Sequence, residues 1–269
     1  MVKNNPTYRT NLALSLYNLA YLIDDDPKQQ EEAEQSYREA LAIYKDLAKD
    51  NPNYNDDIAG ILFNIARLII KNPKRSAEAE QTYQEALATY KELAKTDPAY
   101  SNDIADTLNN LALIIAKDPS RKEEAEQNYQ EALTIYKDLA KTDSYYDADI
   151  ARTTYNHALL IAKDTKRSAE AEQSYREALA IYRDLAKTAP NYSKDIAKVL
   201  NNLGLLIAKD PTRKEEAEQS YREALAIYRD LAENNPDVFQ ARVERVLNNL
   251  NELKAKDSTW TYLLKQVFF

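Results

Sequence analysis

Six asparagines recur along the sequence at an almost constant interval: Asn18, Asn64, Asn110, Asn156 and Asn202 lie 46 residues apart, and Asn249 follows after 47. A primary amide offers donors and an acceptor, so a column of them suits reading the backbone of an extended peptide. It suits equally well the tying of one helix to the next, and both readings stand at this level. Asn within a helix costs about 0.5 kcal/mol relative to Ala, so six of them ask for a compensating role. Four residues before the last three of the column stand Arg152, Lys198 and Arg245, one helical turn away on the same face. Cations so placed can grip carboxylates; the plainer reading is a solvated charge column. Tyr17, Tyr21, Phe63 and Tyr155 are large rigid rings of the kind favoured at recognition surfaces, against self-packing on an adjacent helix.

Catalytic chemistry is poorly supplied. There is no Cys and a single His, which removes thiol nucleophiles, thiolate zinc sites and centres built on several imidazoles. No nucleophile beside a base, no carboxylate dyad and no Gly-rich phosphate loop is present in the pattern. The expectation is a non-enzyme with no catalytic residue, cofactor or metal. His157 takes the place of Leu19, Ile65, Leu111 and Leu203 in its column and reads as a partly buried, hydrogen-bonded core residue.

The elements that hold these side chains follow from composition and period. Of 269 residues only two are Gly and nine are Pro, too little glycine for a hairpin-rich sheet, so the chain reads as all-α. A net charge of −8 argues against a general nucleic-acid-binding surface. The start, MVKNNPTYRT, has no apolar signal region, and no run of ~18 apolar residues occurs. A soluble, cytoplasmic protein without a membrane partner is expected, with an upstream segment left open.

Pro6, Pro52, Pro98, Ser144, Pro190 and Pro236 are spaced by 46 residues, and the phrase around them divides the chain into repeats at 5–50, 51–96, 97–142, 143–188 and 189–234, with a partial, capping copy at 235–269 that gains a residue near Phe239. Three tyrosine columns share the period, those of Tyr8, Tyr37 and Tyr44, and are read as core. In the third copy Ile104, Ala105, Leu108, Leu111, Ala112 and Ile115 form the apolar stripe of one helix, helix A. Ala125, Tyr129, Ala132, Leu133, Tyr136 and Leu139 form that of a second, helix B. Asp118-Pro119 breaks the chain between them, and each helix is expected to run roughly 17 to 20 residues. Lys117 and its column, Lys71, Lys163, Lys209 and Lys256, are placed in the last turn of helix A to complement its dipole. One such hairpin cannot enclose a core, so neighbours must stack.

The order Leu108, Leu111, Ala112, Ile115, Ala125, Tyr129, Ala132, and its copy through Leu200, Leu203, Gly204, Ile207, Ala217, Tyr221, Ala224, resembles the large and small signature of tetratricopeptide repeats, in the long variety seen in kinesin light chains and bacterial arrays, which share the LNNLA and EAExxYxEAL phrases. The resemblance covers residues 5 to 256. It implies a right-handed α-solenoid of stacked helical hairpins and a concave wall made by helix A. That wall would carry Tyr17, Asn18, Phe63, Asn64, Arg67, Asn110, Arg152, Tyr155, Asn156, Lys198, Asn202, Arg245 and Asn249, with nine basic and four acidic residues over all its positions. It also implies a protein-interaction scaffold that binds a peptide or disordered segment, one with acidic residues given the wall's charge, by way of the asparagine column. Arg152, Lys198 and Arg245 partly resemble the carboxylate clamp of chaperone-binding members, whose other positions do not match. The alternative is a structural or self-associating array, natural or consensus-like, with no dedicated ligand.

The last residues, DSTWTYLLKQVFF, read as a short final helix capped by Ser258 or Thr259, with Trp260, Leu263, Leu264 and Val267 folding back on Leu247, Leu250 and Leu253. The competing reading packs them against a second chain to make a homodimer.

Overall fold

The computed structural model describes the backbone of residues 5–268 and the side chains of residues 5–255. Among the described residues there are eleven α-helices and no strand: α1 (Pro6–Ile23), α2 (Gln30–Leu47), α3 (Asn55–Ile69), α4 (Ser76–Leu93), α5 (Ser101–Ile115), α6 (Lys122–Ala140), α7 (Asp147–Ile161), α8 (Ser168–Leu185), α9 (Ser193–Ile207), α10 (Lys214–Asn234) and α11 (Pro236–Phe268). They fall into two compact units, Met1–Ile135 and Tyr136–Phe269. In each unit odd-numbered helices play the part of helix A and even-numbered ones that of helix B, so the fold is an all-α helical repeat.

Local chemistry explains the breaks. Before α4, α6, α8 and α10 the chain makes a single 3₁₀ turn, at Pro73–Arg75, Pro119–Arg121, Thr165–Arg167 and Pro211–Arg213. The residue ahead of it, Asn72, Asp118, Asp164 or Asp210, accepts a hydrogen bond on its side chain from the backbone N–H two residues on, an Asx turn. The turn holds at Asp164 although Thr165 replaces proline, because the side-chain acceptor rather than the ring closes it. A second 3₁₀ turn precedes each interior helix A, as at Pro52–Tyr54 and Pro98–Tyr100. These turns take up residues counted above as helix, and the interior helices A are 15 residues long.

Packing follows the columns. Tyr37, Tyr83, Tyr129, Tyr175 and Tyr221 are essentially buried, as are the alanines facing them, such as Ala20, Ala66, Ala112 and Ala158. In α9 Gly204 stands where those helices have Ala, and a Cβ there would lie 2.8 Å from the Tyr221 ring; the helices approach so closely that a methyl has no room. The tyrosines ending three of the interior turns pack on the last tyrosine of the preceding helix B: Tyr54 on Tyr44, Tyr100 on Tyr90 and Tyr192 on Tyr182, with ring centres 5.6 to 6.2 Å apart. Phe239 does the same for Tyr228 at 6.3 Å, so the inserted residue is absorbed before it and the ring keeps its seat.

Successive helices B within a unit are joined by ion pairs. Arg75 binds Glu34 through two nitrogens at 2.6 and 2.7 Å and also holds Glu78 of its own helix; Arg121 does so with Glu80 and Glu124, and Arg213 with Glu172 and Glu216. A second set spans 40 residues: Arg38 to Glu78, Lys45 to Glu85, Lys91 to Glu131, Lys137 to Glu177 and Arg183 to Glu223.

The C-terminal expectation needs correction. No separate helix begins at Ser258 or Thr259; α11 runs without a break from Pro236 to Phe268. Folding back onto Leu247, Leu250 and Leu253 needs a turn that a continuous helix does not contain. Leu250 and Leu253 are already buried where α11 packs on α10. The side chains of Trp260, Leu263, Leu264 and Val267, and that of Lys256, lie outside the described residues.

Candidate functional site on the helix-A wall

In the first unit the wall is formed by α1, α3 and α5. Asn64 on α3 donates through Nδ2 to the Tyr17 hydroxyl on α1 at 3.3 Å. Tyr17 stacks on Tyr21 and lies 5.8 Å from the buried Tyr37 ring, and burial raises its pKa. Phe63 meets Tyr83 edge to face at 5.5 Å. Arg67 is an ion-pair partner of Asp24, whose carboxylate is buried and also accepts from the Tyr37 hydroxyl at 2.9 Å. Lys71 donates to the Asp24 carbonyl at 2.9 Å and lies 3.5 Å from Asp25. The two cations of α3 are thus neutralised by the C-terminal end of α1. Further along, Asp103 and Asp106 of α5 stand close to Asp56; burial, then these two like charges, pushes the Asp103 carboxyl up to about 6. Asn18 is exposed, since no helix A precedes α1 in the structure to receive its amide, while Asn110 is half-buried.

The second unit repeats the frame with other charges. Asn202 on α9 donates to the Tyr155 hydroxyl on α7 at 2.6 Å, and Asn249 on α11 donates to Asn201 Oδ1 on α9 at 2.8 Å. Asn156 is buried. Tyr155 is buried as well, 5.9 Å from Tyr175, so the ring expected to face a ligand belongs to the core. What it presents is its face: the Lys198 ammonium sits 4.4 Å above the ring centre, a cation–π contact. Beside it is a hollow of 330 Å³ lined by Arg152, Tyr155, Tyr182, Tyr192, Lys194, Asp195 and Lys198, among others. Arg152 pairs with Asp149 at 2.6 Å. Burial raises the Asp195 pKa against the pull of Lys194, Lys198 and Arg242, and burial lowers that of Lys198. Arg245 is exposed on α11.

The structure therefore brings Arg152, Tyr155 and Lys198 together at one hollow and ties Asn64, Asn202 and Asn249 to the preceding helix A. The lysine column is also placed differently from expectation. Lys71 and Lys209 lie just beyond the C-caps Ile70 and Ala208, and each reaches a carbonyl of the previous helix A, Asp24 or Ala162; they cap a neighbour's carbonyls rather than their own helix. His157 is buried, as its column predicts. Two cations escaped the sequence reading. Lys194 lines the hollow, and Arg242, which lies 6.0 Å from the Phe239 ring and hydrogen-bonds Tyr228, falls in the column of Asp57, Asp103, Asp149 and Asp195 once the inserted residue is counted. The broken acidic column was the available signal.

A stack of helical hairpins with an open, side-chain-lined wall defines a helical repeat protein. Residues 153–185 match the model of the tetratricopeptide repeat family. Among solved structures, BtubC (BKLC) from P. vanneervenii is 24% identical with a TM-score of 0.62 over 85% of this chain and 84% of its own. A putative kinesin light chain from Podosopora anserina, with nearly identical TPR-like repeats, is 16% identical with a TM-score of 0.57 over 86% and 99%. No curated protein matches the sequence. Repeats of this type are in general protein–protein interaction scaffolds, typically without catalytic activity. Among the described residues no helix is long and apolar enough to cross a membrane.

Proposed function

We propose that the chain is an interaction scaffold that takes an extended, acidic segment of another protein along its helix-A wall, with the carboxylates seated at α7, α9 and α11. The observation that carries this is Lys198: its ammonium rests on the Tyr155 face inside a lined hollow, with a pKa lowered by burial, and it makes no ion pair among the described residues. A desolvated cation beside Arg152 and Lys194 gains most from an incoming carboxylate. Arg242 and Arg245 extend the same charge along α11. With one N–H engaged to a neighbouring helix, the amides of Asn202 and Asn249 offer their remaining valences to the peptide backbone.

A labelled acidic peptide titrated by fluorescence anisotropy tests this. Changing Arg152, Lys198 and Arg245 together to Glu is expected to weaken binding about 10- to 100-fold and to flatten its salt dependence. Unchanged affinity would sink the proposal. Asn110→Ala, Asn156→Ala and Asn202→Ala separate recognition from scaffolding: weaker binding at an unchanged melting temperature supports the first, and a lowered melting temperature with binding intact supports the second.

A further inference from the structure

Helix α1 carries an apolar face that no described residue covers. Leu12, Leu19 and Leu22 are 42%, 41% and 81% exposed. The residues one repeat later, Ile58, Ile65 and Leu68 on α3, are 7%, 1% and 4% exposed, and those on α9, Ile196, Leu203 and Leu206, are 7%, 2% and 6% exposed. In these later helices the face is buried where the preceding hairpin packs, α2 on α3 and α8 on α9. The same holds at the turn: Tyr54 rests on Tyr44 of the preceding helix B, while its equivalent Tyr8 is 49% exposed. Thus α1 has the residues of an interior helix, with that face open among the described residues, and contiguous exposed apolar surface of this kind marks interaction sites.

The charges beside it say what kind of neighbour fits. At the joints between helices B, Glu78 and Glu85 of α4 receive Arg38 and Lys45 from α2, and Glu223 of α10 receives Arg183 from α8. The equivalent residues of α2 are Glu32 and Glu39. Among the described residues Glu39 accepts from Gln35 of its own helix, at 2.9 Å, and neither Glu39 nor Glu32 has an ion pair. An apolar strip and two carboxylates two turns apart therefore lie on the same open side.

We infer that this side of α1 and α2 docks an amphipathic helix of a partner protein, one with a stripe of Ala, Leu and Tyr and two cations seven residues apart. The chain's own helices of this pattern are engaged: α2 and α8 already cover α3 and α9, and α10 is covered by α11. The mode is a helix laid on an apolar strip with flanking charges setting its register. This surface is separate from the cationic hollow of the second unit, and the two proposals fail independently.

A synthetic peptide of residues 214–234, which is the α10 sequence with Arg222 and Arg229 at the required spacing, serves as the probe against the full-length chain. Saturable binding is expected, weakened at least about 10-fold by Leu12→Asp with Leu19→Asp. These positions are exposed, and an unchanged circular dichroism melt verifies folding. Glu32→Lys with Glu39→Lys is expected to weaken binding about 3- to 10-fold, and a peptide carrying Arg222→Glu and Arg229→Glu to restore it. Binding of the acidic peptide at the other site stays unchanged in these variants. Absence of saturable binding below about 1 mM, or binding indifferent to Leu12→Asp and Leu19→Asp, overturns the inference. So does sedimentation showing that the chain dimerises through these leucines without taking up the peptide, which would make a second copy the occupant.

Discussion

The joint of α3, α4 and α5 in the first unit and that of α7, α8 and α9 in the second are built on one frame and carry opposite chemistry. Tyr90 and Tyr100 lie 6.2 Å apart at 33°, and Tyr182 and Tyr192 lie 6.0 Å apart at 32°. Around the first pair stand Gly60, Asp103 and Asp106; around the second, at the same repeat positions, stand Arg152, Asp195 and Lys198. In the first joint like charges crowd Asp103 and raise its pKa to about 6. In the second, cations work against the burial that raises Asp195. The aromatic frame is indifferent to these substitutions because they sit on its open side, so the ligand preference of a joint is set by a few wall positions while its stability is set elsewhere.

The largest expected effect comes from moving the difference. Gly60→Arg with Asp106→Lys, in a background of Lys198→Glu, is expected to raise affinity for an acidic peptide about 30-fold, near 2 kcal/mol. A Cβ at Gly60 meets only the Tyr90 hydroxyl, at 3.7 Å, so the arginine is sterically allowed. Anisotropy titration reads the gain; none would mean that the frames are less alike than their rings.

Next in size is the acidic joint itself. A carboxyl whose folded pKa is raised favours the fold while protonated, below its unfolded value near 3.8, and loses that contribution as pH rises through about 6. Asp103→Asn is therefore expected to raise stability at pH 7 by about 1 to 2 kcal/mol and to make no difference below pH ~4. Melting temperature against pH for the two proteins checks it, and a parallel offset at all pH values would refute the account.

The smallest effect compares the ion pairs of the two units. Glu172 accepts from Arg213 and from Arg176, and the pair of guanidinium groups holds its carboxyl at about 2. Glu80 binds Arg121, but Gln84 stands where Glu172 has Arg176. Glu172→Gln is expected to cost about 1 kcal/mol at pH 7 and Glu80→Gln about half of that. Because the Glu172 pKa is depressed, its contribution is present above about 4.5 and is lost as pH falls toward 2. Urea melts at pH 7 and pH 3 provide the comparison.

Much of this was legible in the sequence. The 46-residue step and the spacing of Leu108, Leu111, Ala112 and Ile115 specify helices, hairpins and stacking, because burial of an apolar stripe depends on period alone. The columns also located Arg152, Lys198 and the asparagines. They could not say where each polar atom goes. That Asn64 donates to Tyr17, that Arg67 meets Asp24, and that Lys71 caps a carbonyl on another helix depend on neighbours 43 to 47 residues away, and a recurring residue does not reveal its acceptor. Tyr155 broke the consensus and looked like a recognition ring, whereas the volume beneath it is core. The unbroken run of α11 was hidden because Ser258 and Thr259 suit a cap as well as an interior turn.

The near-identity of the helices B has a consequence for how the chain assembles. Helix α10 reads EAEQSYREALAIYRDL from Glu216, and α8 has the same sixteen residues from Glu170. Either could lie on α9 and satisfy the same tyrosine seats and the same carboxylate-to-arginine pairings. Connectivity opposes such a swap only weakly, since looping out one hairpin adds a slowly growing entropic cost, about 0.6 kcal/mol per doubling of the loop. What tells one joint from another is written in helix A, in pairs such as Tyr155 with Asn202 and Asn201 with Asn249. A mis-stacked array that burial and charge alone would accept loses those hydrogen bonds.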